Sequence, residues 1–149
     1  MSAIELAQSL IKIKSISPKD EGCFDLVEAE LAPLGFETKR IPELNCETLL
    51  AKFGNSGKVF CFLGHTDIVP SGPEDEWTSP PFEANIINAE LIGRGAADMK
   101  GSVAVFIQSV KKFLTANPNP SFQLRVMLTS NEEGEAADGT INTLLDSLT

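Results

Sequence analysis

Three stretches of this sequence carry side chains that could do chemistry together: GHTDIVP, GRGAADMKG and TSNEEGE. The first holds the only histidine, His65, with Asp67 two residues on; the second holds Asp98, and the third the adjacent pair Glu132 and Glu133. Imidazole plus carboxylates is a ligand set suited to Zn²⁺, Mn²⁺ or Co²⁺, and without cysteine in the set a hydrolytic site is favoured over a structural zinc. Lowering the pKa of bound water from about 15.7 to about 7 removes roughly 12 kcal/mol of deprotonation cost at neutral pH, more than one general base contributes. Each residue alone also has a plainer reading: His65 as a packed or capping histidine, Asp98 as a helix cap, the glutamates as a solvated acidic loop.

The elements that must position these residues are legible. VFCFL, running into Gly64, reads as a buried strand delivering His65 and Asp67 to its C-terminal end, and FQLRVMLT reads as a second buried strand leading to Glu132 and Glu133. Adjacent residues leaving a strand point to opposite sides, so one glutamate could bind a metal while the other handles a proton. Gly93, Gly95 and Gly101 would let the backbone turn tightly enough to aim Asp98 at the sheet end near His65. GRGAADMKG lacks both the GxGxxG spacing and the GK[ST] ending of phosphate-cradling loops.

Ser2 and Glu5 have the form of a capping box before a helix to about Lys14, and Cys23 to Leu34 carries mostly helical spacing until Gly35. Strands are expected over 36–41 and 48–53, the second joined by GNSG to the His65 strand as an antiparallel neighbour. SGPEDEWTSPPF reads as a surface loop anchored by Trp77, and 84–87 with 91–92 as a short hairpin. A strong helix follows over about 101–116, and a last helix capped by Asp138 would bear Ile141, Leu144, Leu145 and Leu148. The alternation implies an α/β fold: a three-layer sandwich, with a mixed, mostly parallel sheet and helices on both faces.

At 149 residues and 42% hydrophobic the chain can bury one core. A net charge of -9 without a Lys/Arg run gives no footprint for nucleic acid or an anionic membrane. No apolar run reaches membrane-spanning length, the N-terminus lacks a signal-peptide pattern, and Cys23, Cys46 and Cys61 read as reduced thiols of a cytoplasmic protein.

GHTDIVP, WTSPPF, GRGAADMKGS and TSNEEG, in that order, resemble the catalytic domain of the co-catalytic dizinc amidohydrolases of the aminoacylase and carboxypeptidase group; SPKDEGC and ADGT extend the likeness. The resemblance implies a zinc-peptidase-like fold and two Zn²⁺ per full-length subunit, with Co²⁺ or Mn²⁺ as alternatives. His65 would bind one metal, Asp98 bridge both and Glu133 bind the second, while Glu132 would be the general acid/base and Asp67 would orient His65. It implies hydrolysis of a small N-acyl amino acid, N-succinyl-LL-2,6-diaminopimelate first and N-acetylornithine as runner-up. A noncatalytic metal-binding module is the alternative of another class.

Full enzymes of that group are longer. They take a further carboxylate and a late histidine from sequence beyond position 149, so each zinc would keep only two protein ligands here. The expectation is therefore that residues 1–149 form the N-terminal part of a catalytic domain, inactive alone. The rest of that domain and a homodimerisation domain are absent, and a sheet edge is left uncovered. The resemblance also makes Asp98-Met99 a candidate cis peptide bond.

Overall fold

A computed structural model describes residues 1–43 and 45–134. Helix α1 spans Ala3–Ile11 and begins with the expected capping box: Ser2 Oγ accepts the Glu5 N–H while the Glu5 carboxylate accepts the Ser2 N–H. Helix α2, Cys23–Leu31, is held at its start by Asp20, whose carboxylate accepts the N–H groups of Gly22 and Phe24. Pro33 tightens the end of α2 into a short 3₁₀ turn, and Gly35 stops it at a φ of 88°.

Strands β1 (Glu37–Glu43), β2 (Cys46–Phe53) and β3 (Val59–His65) follow, then the hairpin β4 (Asn85–Ile87) and β5 (Glu90–Ile92), helix α3 (Gly101–Ala116) and strand β6 (Gln123–Thr129). The four-stranded sheet has the order β1-β2-β6-β3. It is mixed, as expected, but the parallel share is smaller than expected. Among the described strands only β3 and β6 pair in parallel, across the connection that carries helix α3, whereas β1–β2 and β2–β6 are antiparallel.

The expected neighbour pairing of β2 with β3 is also corrected, since β6 inserts between them. The reason is burial. Every β6 residue after Gln123 is buried, and a strand of that composition belongs inside the sheet with partners on both sides.

The register puts Leu49 and Ala51 of β2, Val126 and Leu128 of β6, and Phe62 of β3 on one face. All three described α-helices pack there, in a cluster that includes Leu6, Leu10, Phe24, Val27, Val103 and Ile107. Phe62 stacks on Phe106 of α3 at 4.1 Å between ring centroids, a contact worth about 1 kcal/mol beyond its buried area. Leu50 and Met127, on the opposite face, are buried as well. The helix expected from Asp138 to Leu148 lies outside the described residues, so the described helices cover one face.

Among the described residues β3 pairs only with β6, leaving Phe60 and Leu63 exposed at the sheet edge. No described helix is long and apolar enough to cross a membrane. Cys23 and Cys61 are free thiols.

Candidate active site

Parallel pairing brings the C-terminal ends of β3 and β6 to the same edge, with His65 opposite Thr129 in the register. The residues leaving both strands therefore converge, as they do at the carboxyl edges of α/β sheets generally. From the other side comes the turn Ala96–Lys100. Gly95 enters it at a φ of 79°, which a side chain would resist, and a Cβ on Gly101 would collide with the Ala96 carbonyl oxygen. The Asp98-Met99 peptide bond within it is cis.

This turn sets Asp98 Oδ1 3.1 Å from His65 Nε2, and Glu132 Oε2 lies 3.9 Å from the same nitrogen. Ligand atoms of His65, Glu132 and Glu133 all fall within 4.8 Å of one another. Both glutamates thus reach one spot, despite the expectation that they would diverge. The chain kinks after Thr129 and is no longer a pleated strand there. His65 is buried, whereas the Asp98 and Glu132 side chains are 75% and 57% exposed, so one rim faces solvent.

Asp67 is wholly buried and its contacts differ from those expected of a simple orienter of the imidazole. His65 Nδ1 lies 3.0 Å from the Asp67 backbone carbonyl and 3.6 Å from its carboxylate. The carboxylate instead accepts three hydrogen bonds: from the Glu132 N–H at 3.1 Å, the Glu133 N–H at 3.1 Å and the Ser17 hydroxyl at 2.5 Å. Burial would raise its pKa, but these donors and His65 hold it below the usual carboxylate range. Burial likewise opposes charge on His65, yet Asp67 and Asp98 outweigh it and push the imidazole up to about 9.

The donor set fits a divalent cation. One imidazole nitrogen and several carboxylate oxygens converge, and among the described residues no lysine or arginine forms an ion pair with Asp98, Glu132 or Glu133.

Two residues here escaped the sequence reading. Ser17 is one; Lys100 is the other, fully buried, its Nζ donating to the carbonyls of Leu10 at 2.9 Å and Ile13 at 2.8 Å. A lysine in a run of glycine and alanine was the available signal for Lys100. Burial pulls its pKa below the usual range, against nearby Cys23, Asp20 and Asp67. It ties the Asp98 turn to the end of α1. Lys100→Met keeps the side-chain volume but orphans the Ile13 carbonyl; a bond to a charged donor contributes about 1.5–3 kcal/mol, partly offset by no longer burying an ammonium. A net destabilisation of about 1–2 kcal/mol is expected as a lower urea midpoint. An unchanged midpoint would show that the burial cost cancels both bonds.

Trp77 anchors its loop by donating from Nε1 to the Ser71 carbonyl at 3.0 Å, and the Arg94 guanidinium lies 5.1 Å from its ring centroid. That agrees with a packing role.

An α/β fold with a carboxylate-and-imidazole cluster at the carboxyl edge of its sheet places a cation-binding donor set where α/β proteins hold their ligands. The chain belongs to Peptidase family M20/M25/M40, whose profile matches residues 61–148. It is 47% identical over 137 residues to a succinyl-diaminopimelate desuccinylase of Alkalilimnicola ehrlichii, covering 92% of this chain and 36% of that protein. It is 49% identical over 141 residues to one from Halorhodospira halophila, covering 94% and 37%. The chain thus spans about a third of the length of these relatives. Among solved structures, human carnosine dipeptidase 1 superposes with a TM-score of 0.78 at 23% identity, over 97% of this chain and 34% of that one, a likeness of fold.

Proposed function

We propose that residues 1–149 form the N-terminal part of the catalytic domain of a metal-dependent amidohydrolase that cleaves N-succinyl-LL-2,6-diaminopimelate to succinate and LL-2,6-diaminopimelate. The observation that carries this is the 47–49% identity to proteins of that name across more than nine-tenths of the chain. The remainder of the catalytic domain and a dimerisation domain would lie in further sequence, and the whole enzyme would be a cytoplasmic homodimer. The β3 edge, without a partner strand among the described residues and with Phe60 57% exposed, supports a sheet that continues.

His65, Asp98 and Glu133 would hold the metal, two Zn²⁺ in the full-length subunit or Co²⁺ or Mn²⁺ in their place. Zinc bound there would polarise the amide carbonyl and acidify the attacking water. Glu132, on the solvent-facing rim, takes a proton from that water on its carboxylate and delivers it to the leaving amine nitrogen. Asp67 holds the backbone of both glutamates and, through its carbonyl, the imidazole. The described residues supply too few ligands to complete two catalytic zinc sites, so the isolated 149 residues should turn over no substrate.

The test is succinate release by the full-length protein from N-succinyl-LL-2,6-diaminopimelate, with N-acetylornithine in parallel. Activity on the succinyl substrate that a chelator abolishes and zinc restores is the expected result. A preference for acetylornithine would reassign the substrate. Chelator-resistant turnover, or activity of the 149-residue chain, would overturn the reading.

A further inference from the structure

We propose that Ser17 is a positioning residue: its hydroxyl fixes the Asp67 carboxylate so that both carboxylate oxygens stay aligned on the backbone N–H groups of Glu132 and Glu133. The inference rests on the reading of those two glutamates as the working carboxylates.

An aspartate carboxylate turns easily about its last torsion, so its plane is set by its partners. Asp67 Oδ1 accepts from Glu132 N, and Oδ2 accepts from Glu133 N and from Ser17 Oγ. The imidazole is a more distant partner of that carboxylate, since His65 Nδ1 stands 3.0 Å from the Asp67 carbonyl but 3.6 Å from Oδ1. Ser17 is the one side chain among these three donors, and a hydrogen bond to an ionised acceptor is about twice as strong as a neutral one.

The Ser17 hydroxyl is itself held in place. Its backbone N–H donates to the Ile68 carbonyl at 3.2 Å, the Ile68 N–H donates to the Ser15 carbonyl at 3.0 Å, and Ser15 Oγ donates to the Thr66 carbonyl at 2.7 Å. Residues 15–17 therefore clasp residues 66–68 along their length, on both sides of Asp67. The segment before the glutamates is tied down at Ser130, which bonds to Glu47 of β2 and to the Pro18 carbonyl, and the backbone N–H groups of Glu132 and Glu133 themselves are held by Asp67 and, through it, by this clasp. Supporting bonds of this kind tune metal sites as much as the ligands do.

Amide hydrogen exchange on the full-length protein stripped of metal reads this directly. Ser17→Ala is expected to speed exchange at Glu132 and Glu133 about tenfold or more, with Val126 in β6 and Leu49 in β2 unchanged. Ser17→Thr, which keeps the hydroxyl, should restore protection to within about threefold. In the full-length protein the same alanine variant should weaken zinc binding by about 10–100-fold, again rescued by threonine. Unchanged exchange at the glutamates, loss of protection extending to Val126 and Leu49, or failure of threonine to rescue would each overturn the proposal. The exchange experiment needs neither metal nor substrate. Failure to hydrolyse the succinyl substrate would therefore leave it standing, and unchanged exchange would leave the proposed function standing.

Discussion

Glu132→Gln in the full-length protein is expected to lower kcat for amide hydrolysis by about 10²- to 10⁴-fold, while KM and zinc affinity stay within about threefold. Glutamine has nearly the same shape and leaves the Glu132 N–H bond to Asp67 intact, so the carboxylate's proton-carrying capacity is what is lost. The proton must leave the attacking water and reach the amine in the transition state, and loss of a group acting only there falls on kcat. Glu133→Gln should behave in the opposite way, weakening zinc binding by more than about tenfold, with activity recovering at high zinc. The comparison is needed because both side chains reach the same spot near His65. If the two phenotypes were exchanged, the roles of acid/base and ligand would be exchanged with them. If neither variant lost activity, the amidohydrolase reading of this edge would fail.

Much of this site was legible in the sequence because its parts sit at the ends of strongly patterned elements. The capping box at Ser2 and Glu5 and the apolar face of α3 are local signals, and the structure has them where the pattern puts them. The three acidic and imidazole stretches do meet at one sheet edge, since parallel β3 and β6 end together. Strand order was less accessible. The GNSG turn suggested that β2 and β3 pair, but which strand sits between them depends on how completely β6 must be buried, a property of the whole sheet. Ser17 and Lys100 were missed for a related reason. Their partners lie 50 residues away in one case and 87 and 90 in the other, beyond the reach of any periodicity. Asp67 was singled out from its place in the strand, but a residue type cannot say whether its carbonyl or its carboxylate faces the imidazole.

The charge on His65 gives the metal-free chain a stability profile that zinc should reverse. Folding raises the imidazole pKa from its ordinary 6.5 to about 9. The imidazolium is therefore favoured in the folded state; its contribution is fully present below about pH 6.5 and is lost as pH rises through about 9. The shift corresponds to up to about 3 kcal/mol, so urea unfolding of the metal-free chain should show stability falling between about pH 6.5 and 9. His65→Gln should be less stable at pH 6 and show no such fall. Zinc requires the neutral imidazole, so in the full-length protein at pH 7.5 each ion bound by His65 must displace one proton. Its affinity should rise about tenfold per pH unit up to about pH 9 and then level off. At a fixed, subsaturating zinc concentration, protection by metal therefore grows over the same pH window in which the imidazolium's contribution disappears. Calorimetric titrations in buffers of different ionisation enthalpy measure the released proton directly. Zinc uptake with no proton release at pH 7.5, or metal-free stability flat from pH 6 to 10, would mean that His65 is neutral when the chain folds and that its neighbours do not hold it charged.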